Sequence, residues 1–203
     1  MAADAPSVND MTSTDTDLVE TSAESSAPET AAPETAAPEA SATGASDYVT
    51  PARRLDIDGI APAFTRAVGA LDDAAEAEAD RAGIGAGLRD LVRLRASQLN
   101  GCSYCVDTHA RDARAAGESE QRVFAVAVWP ESNFFTARER AAFRLVDAVT
   151  RLSETHVPDD VFAEAAERWS DEEIAALLAI TVSINAWNEL AVATRSWRPR
   201  LRS

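Results

Sequence analysis

Two cysteines and two histidines are the whole supply of thiols and imidazoles in this 203-residue chain. Three of those four residues fall in one short stretch, Cys102-Ser-Tyr-Cys105-Val-Asp-Thr-His109. Wound as a helix, positions 102, 105 and 109 follow i, i+3, i+7 and share one face. That spacing brings two thiols within disulfide reach and sets an imidazole one turn beyond the second. The pattern reads as thiol redox chemistry with a proton carrier alongside.

Reactivity requires thiolate. A free cysteine with a pKa near 8.5 is only about 3% ionised at pH 7, and lowering that value to about 7 gives roughly half. Two routes to such a shift are written in the stretch. Cys102 falls at the start of the expected helix, where unpaired amides and the helix dipole favour an anion. Cys105 stands one turn before His109, which can take or return its proton. The first argument favours Cys102 as the attacking thiol and the second favours Cys105, and the spacing leaves both open. In either case the partner thiol is placed to condense with a sulfenic acid.

Other uses of the same residues fit less well. Two cysteines and His109 make three zinc ligands, whereas a structural site needs four and the other histidine, His156, is remote in sequence. A c-type haem needs histidine directly after the second cysteine, where Val106 stands. No metal and no cofactor are therefore expected. Two core thiols beside a capping histidine is the bland reading, and the tight clustering weighs against it. Tyr104 reads as packing or as a group orienting a peroxide, and Trp129, Trp169 and Trp187 as core or subunit interface.

The elements that must position this stretch read as helices. Ile60 to about Ala79 carries Phe64, Val68 and Leu71 at helical spacing, and Gly83 and Gly85 break it before a second run from Leu88 to Leu99. Asn100-Gly101 stops that run, and the cysteine segment opens a helix ending at Gly117. Ser119 caps a short helix ending near Trp129-Pro130. Thr136-x-x-Glu139 and Ser170-x-x-Glu173 are capping-box patterns ahead of longer apolar runs. Pro158 sits where a first-turn proline belongs. With no period-two alternation and no hairpin signal, the expected class is all-α, a bundle of six or seven helices.

Charge divides the chain. Residues 1–47 hold ten acidic residues and no basic one, which leaves 24 of the 34 acidic residues against all 19 arginines, a net of −5. Ala-Pro-Glu recurs there at 27–29, 32–34 and 37–39. Such composition lacks the apolar side chains that offset ordering, so 1–47 is expected to be a disordered acidic tail and 48–203 the folded domain. An acidic balance lacks the basic stripe of a nucleic-acid footprint. The N-terminus shows neither a positive n-region nor an apolar h-region, and no run is expected to reach bilayer length. A C-x-x-C pair without an export signal fits a reducing, cytoplasmic location. Apolar helices such as 172–193 are hard to bury fully in about 150 residues, which points to a homo-oligomer.

The run from Leu88 through Ser97-Gln-Leu-Asn-Gly-Cys102-x-x-Cys105-x-x-x-His109 resembles the carboxymuconolactone decarboxylase superfamily, in its AhpD-like alkylhydroperoxidase branch. The likeness continues through Ala116–Arg122 and Ile184-Asn-Ala-Trp-Asn188 and covers about residues 55–195. It implies an all-α fold assembling as trimers or hexamers. It also implies a peroxidase cycle: Cys105 attacks a hydroperoxide and becomes sulfenic acid, Cys102 resolves it, His109 shuttles protons, and an outside dithiol or protein thiol restores the pair. The family's relay glutamate, twelve residues before the first cysteine, is here Asp90. One methylene shorter, it is expected to reach His109 through a water. Two rival classes accompany this reading: a decarboxylase of a cyclic lactone acid, which needs no thiol pair, and a non-catalytic redox sensor.

Overall fold

The computed structural model describes residues 49–201, so the acidic segment expected over 1–47 lies outside the described residues. The elements are α1 (Ile57–Ile60), α2 (Pro62–Arg81), α3 (Ala86–Asn100), α4 (Ser103–Ala115), α5 (Glu120–Ala125), α6 (Ala137–Thr150), α7 (Leu152–Thr155), α8 (Asp159–Ala166) and α9 (Asp171–Thr194). A 3-10 turn, Val126–Glu131, follows α5. Among the described residues there are nine helices and no strand, and the protein is all-α.

The two helices beyond the expected seven are α1 and α7, of four residues each. One turn is too short for a hydrophobic period to register in sequence. The other starts and stops follow local chemistry. Pro62 occupies the first turn of α2, and Gly83 beyond its end has φ +72°. The Ser119 hydroxyl accepts from the Arg122 amide at the head of α5. Gly117 closes α4 at φ +100°. Both capping boxes form, Thr136 with Glu139 and Ser170 with Glu173. Pro158 stands one residue outside α8 rather than in its first turn, with extended backbone (ψ 146°). The stretch expected as a single short helix to Trp129-Pro130 passes from α5 to the 3-10 turn after Ala125 and kinks at Val128 within that turn, and Pro130 has no amide hydrogen to continue an α-helical ladder.

Helix α3 lies at the centre, packed against α4, α6 and α9, while α2 packs along α9 and α8 against α6. Leu91, Val92, Leu94 and Ala96 of α3 are buried, as are Phe143 and Val146 of α6 and Leu177 and Ile180 of α9. Phe143 meets Phe135 edge to face at 5.0 Å. Burial extends to the polar residues of α3. Arg95 forms a two-pronged pair with Asp147 of α6 (2.6 and 2.7 Å), donates to the Ala127 carbonyl, and shares Asp147 with the Trp129 indole. A guanidinium this deep requires such partners.

Helix α9 corrects one expectation. It runs 24 residues with a mean hydropathy of 1.4 over its most apolar window, enough by length and composition to match a membrane span. Half of that window is buried within the domain, against α2, α3, α6 and α8. Core packing accounts for its apolarity on those sides. Val182 and Val192 remain substantially exposed.

Glu139 joins the cap of α6 to an ion-pair chain. Burial pushes its carboxyl up, but hydrogen bonds from Arg122 and from Thr136 outweigh that and hold it below the ordinary 4.5. Arg122 also pairs with Glu118, so α5 and α6 are tied through one guanidinium. A carboxylate with a depressed folded-state pKa stabilises fully above its unfolded value and loses that contribution as pH falls through the folded one. Glu139→Gln should therefore flatten the loss of stability below pH 4.5, read by urea denaturation across pH. Thr136→Ala should cost about 1 kcal/mol at neutral pH in the same assay.

Candidate active site

The turn between α3 and α4 sets the position of the two sulfurs. Gly101 takes a left-handed conformation (φ +69°), its amide donates to the Gln98 carbonyl, and the Cys102 amide donates to the Ser97 carbonyl. This is the paired closure of a Schellman motif, for which glycine is the low-strain residue. Cys102 completes that motif and at once becomes the N-cap of α4. Its backbone is extended (φ −84°, ψ 94°), and its sulfur accepts from the Cys105 amide at 3.3 Å. The first cysteine therefore stands one residue outside the helix expected to contain it.

Cys102 and Cys105 are joined as a disulfide, with Cα atoms 5.4 Å apart. Both are almost fully buried, at 2% and 5% exposure. His109 lies one turn past Cys105 on α4, where residues four apart are surface neighbours.

Asp90 reaches His109 directly. Its Oδ1 lies 3.1 Å from the imidazole Nδ1, and both side chains are 15% exposed. The expected bridging water is not required: α3 and α4 pack closely enough for the shorter carboxylate to make the contact. Asp90 is not a surface charge for its arginine neighbours. Arg89 pairs with Glu76 and Asp80, and Arg93 with Asp72 and Glu76, all on α2. Burial would raise Glu76, but Arg93 and Arg89 hold its carboxyl below the ordinary range. These pairs engage both arginines and leave Asp90 to the imidazole.

A cavity of about 360 Å³ opens over this pair, lined among others by Asp90, His109, Thr108 and Asp112. Asp90, His109 and Asp112 each present a ligand atom within 4.8 Å of the others, a geometry able to hold a cation. Arg89 and Arg93 line the same cavity and oppose it electrostatically.

Ser97, Asn185 and Asn188 carry no chemistry legible from spacing, and Asn100 only a helix stop. Asn100 donates to the side-chain oxygens of Asn185 (2.7 Å) and Asn188 (3.0 Å), and Asn188 donates to the Ser97 hydroxyl at 3.2 Å. Ser97 in turn donates to the Arg93 carbonyl. This polar latch pins the end of α3, and with it the cysteine turn, to α9. Two amides on one face of an apolar helix were its signal in the sequence.

Comparison with known proteins agrees with this architecture. Residues 62–148 match the carboxymuconolactone decarboxylase family. The uncharacterized protein YdfG of Bacillus subtilis is 37% identical over 105 residues, 52% of this chain and 71% of that protein. An Agrobacterium tumefaciens protein of unknown function, described as a candidate AhpD-type antioxidant defence protein, is 38% identical. Its TM-score is 0.69, over 74% of this chain and all of that one. A peroxidase-related protein from Ralstonia eutropha with an alkylhydroperoxidase AhpD core is 26% identical, with TM-score 0.62 over 70% and 74%. The debrominase Bmp8 is 25% identical, with TM-score 0.60 over 68% and 73%.

The latch yields a stability test. Asn188 is fully buried, so Asn188→Ala removes one acceptor from Asn100 and the donor to the Ser97 hydroxyl. It should destabilise the fold by about 1–3 kcal/mol in urea denaturation.

Proposed function

Because this chain belongs to the carboxymuconolactone decarboxylase family, in its AhpD-like branch, we propose that it is a thiol-dependent peroxidase. Its substrates are hydrogen peroxide or small organic hydroperoxides. The observation that carries this reading is the bonded Cys102–Cys105 pair at the head of α4, with His109 one turn on and held by Asp90.

In the cycle, the Cys105 thiolate attacks the distal peroxide oxygen. The O–O bond breaks, the alkoxide leaves as the alcohol after protonation, and Cys105 becomes sulfenic acid. Cys102 then displaces hydroxide, released as water, and the disulfide forms. A dithiol or protein thiol reduces it, leaving as its own disulfide. His109 takes the Cys105 proton and returns it to the departing oxygen, and Asp90 orients the ring through Nδ1. No cofactor takes part.

The protein acts as a homo-oligomer, a trimer or hexamer, in the cytoplasm. Exposed Phe64 and Leu71 on α2, and Val182 and Val192 on the neighbouring α9, supply apolar surface for such assembly. The debrominase relative names debromination as a reaction to assay in parallel.

The test is steady-state hydroperoxide consumption with dithiothreitol as reductant. Cys105→Ser should fall to the uncatalysed background, whereas reduced Cys102→Ser, given hydroperoxide after dithiothreitol is removed, should consume one equivalent and leave a sulfenic acid that dimedone traps. Asp90→Asn should slow turnover on the order of tenfold or more, and Asp90→Glu should retain it. Wild-type protein that consumes no hydroperoxide above the Cys105→Ser control excludes the reading.

A further inference from the structure

Two separate cavities bear on the chemistry, and only the second is lined by a cysteine of the disulfide. Asp90 and His109 line the first, together with further acidic residues and two paired arginines. The second, about 370 Å³, reaches Cys102 and shares no residue with the first. Its charged lining is entirely basic: Arg54, Arg195 and Arg198, with no aspartate or glutamate. Tyr104 and Trp197, with ring centroids 6.4 Å apart, form an aromatic wall, and Val192 adds aliphatic surface.

This cavity is built, and mostly by chain outside the family match over 62–148. The segment before α1 and the segment after α9 are fastened together. The Arg54 and Leu55 amides donate to the Thr194 carbonyl, the Ser196 hydroxyl donates to the Leu55 carbonyl at 2.6 Å, and the Trp197 indole donates to Asp58 at 2.8 Å. Trp187 of α9 abuts Trp197 edge to face at 5.4 Å. Arg54 is partly engaged by the Val192 and Ala193 carbonyls at 3.4 Å. Arg195 and Arg198 make no ion pair among the described residues.

We propose that this cavity binds a carboxylate-bearing thiol with an apolar body and presents its sulfur to Cys102 as the reductant of the disulfide; this rests on the peroxidase reading above. The arginines take the carboxylate, Tyr104 and Trp197 the apolar body, and Cys102 is the sulfur within reach. The reductant thiolate attacks Cys102 Sγ, a mixed disulfide forms, and the Cys102–Cys105 bond breaks with its electron pair on Cys105. Cys105 takes its proton from His109, which does not line this cavity. A second thiol, from the same molecule or another, displaces the first from Cys102. The balance is two thiols oxidised to one disulfide and one protein disulfide reduced to two thiols.

The experiment measures stoichiometric reduction of the oxidised full-length protein by 3-mercaptopropionate, 2-mercaptoethanol and cysteamine, quenching with a thiol-alkylating reagent for mass spectrometry. Each rate is divided by that thiol's rate with neutral 2-hydroxyethyl disulfide, which removes intrinsic nucleophilicity. The anionic thiol should be favoured over the neutral one by about fivefold or more at low ionic strength, and the cationic one disfavoured, with the spread shrinking as salt screens the charges. In Arg195→Gln/Arg198→Gln, and partly in Arg198→Gln alone, the ratio should fall toward one. Equal normalised rates for the three thiols, or a preference that survives the double variant, would overturn the assignment. A charge preference found only among hydroperoxides, in the oxidative half, would also overturn it. Because this assay needs no peroxide, a positive result stands apart from the dithiothreitol turnover that tests the peroxidase reading.

Discussion

Burial of α3 on nearly every side is the constraint to which the rest of the structure answers. Residues 91–97 of this helix are all buried, and they include Arg93, Arg95 and Ser97. A charged or polar group removed from water needs a partner, and α2, α6 and α9 supply them. Asp72 and Glu76 on α2 meet Arg93, Asp147 on α6 meets Arg95, and Asn188 on α9 meets Ser97. The polar content of α3 thus fixes which helices surround it and in what register.

The site inherits that precision. Asp90 immediately precedes the buried stretch, is the sole acidic residue of α3, and meets His109 of α4 rather than an arginine. At the other end, Asn100 locks to α9 immediately before Gly101 turns the chain. Both ends of one helix therefore position the chemistry: the carboxylate at its start and the cysteine turn at its end. A helix is a stiff spacer, so the relation between imidazole and sulfurs depends on how α3 packs against α4 rather than on either segment alone.

Much of this was legible in the residue order. The helix stops at Gly83, Gly101 and Gly117 and the two capping boxes are local chemistry, and they stand where the spacing puts them. Single turns such as α1 and α7 carry too few residues to show a period. The kink at Val128 and the position of Pro158 outside α8 were misread because proline constrains its neighbours without specifying which helical form follows. The Asp90–His109 contact was expected at longer range, since side-chain length can be read from a sequence and interhelical distance cannot.

By itself, the order of residues determined that the chain is helical, that two thiols stand one turn apart, and that an imidazole follows on the same side. These are consequences of steric periodicity within about eight positions. Tertiary structure alone decided that Asp90 touches the imidazole, that Asn185 and Asn188 hold the cysteine turn, and that arginines from opposite ends of the chain meet beside Cys102. Those contacts join residues 19 to more than 130 positions apart. They exist only because burying the apolar faces of the bundle forces distant segments together, and that outcome belongs to no local stretch of sequence.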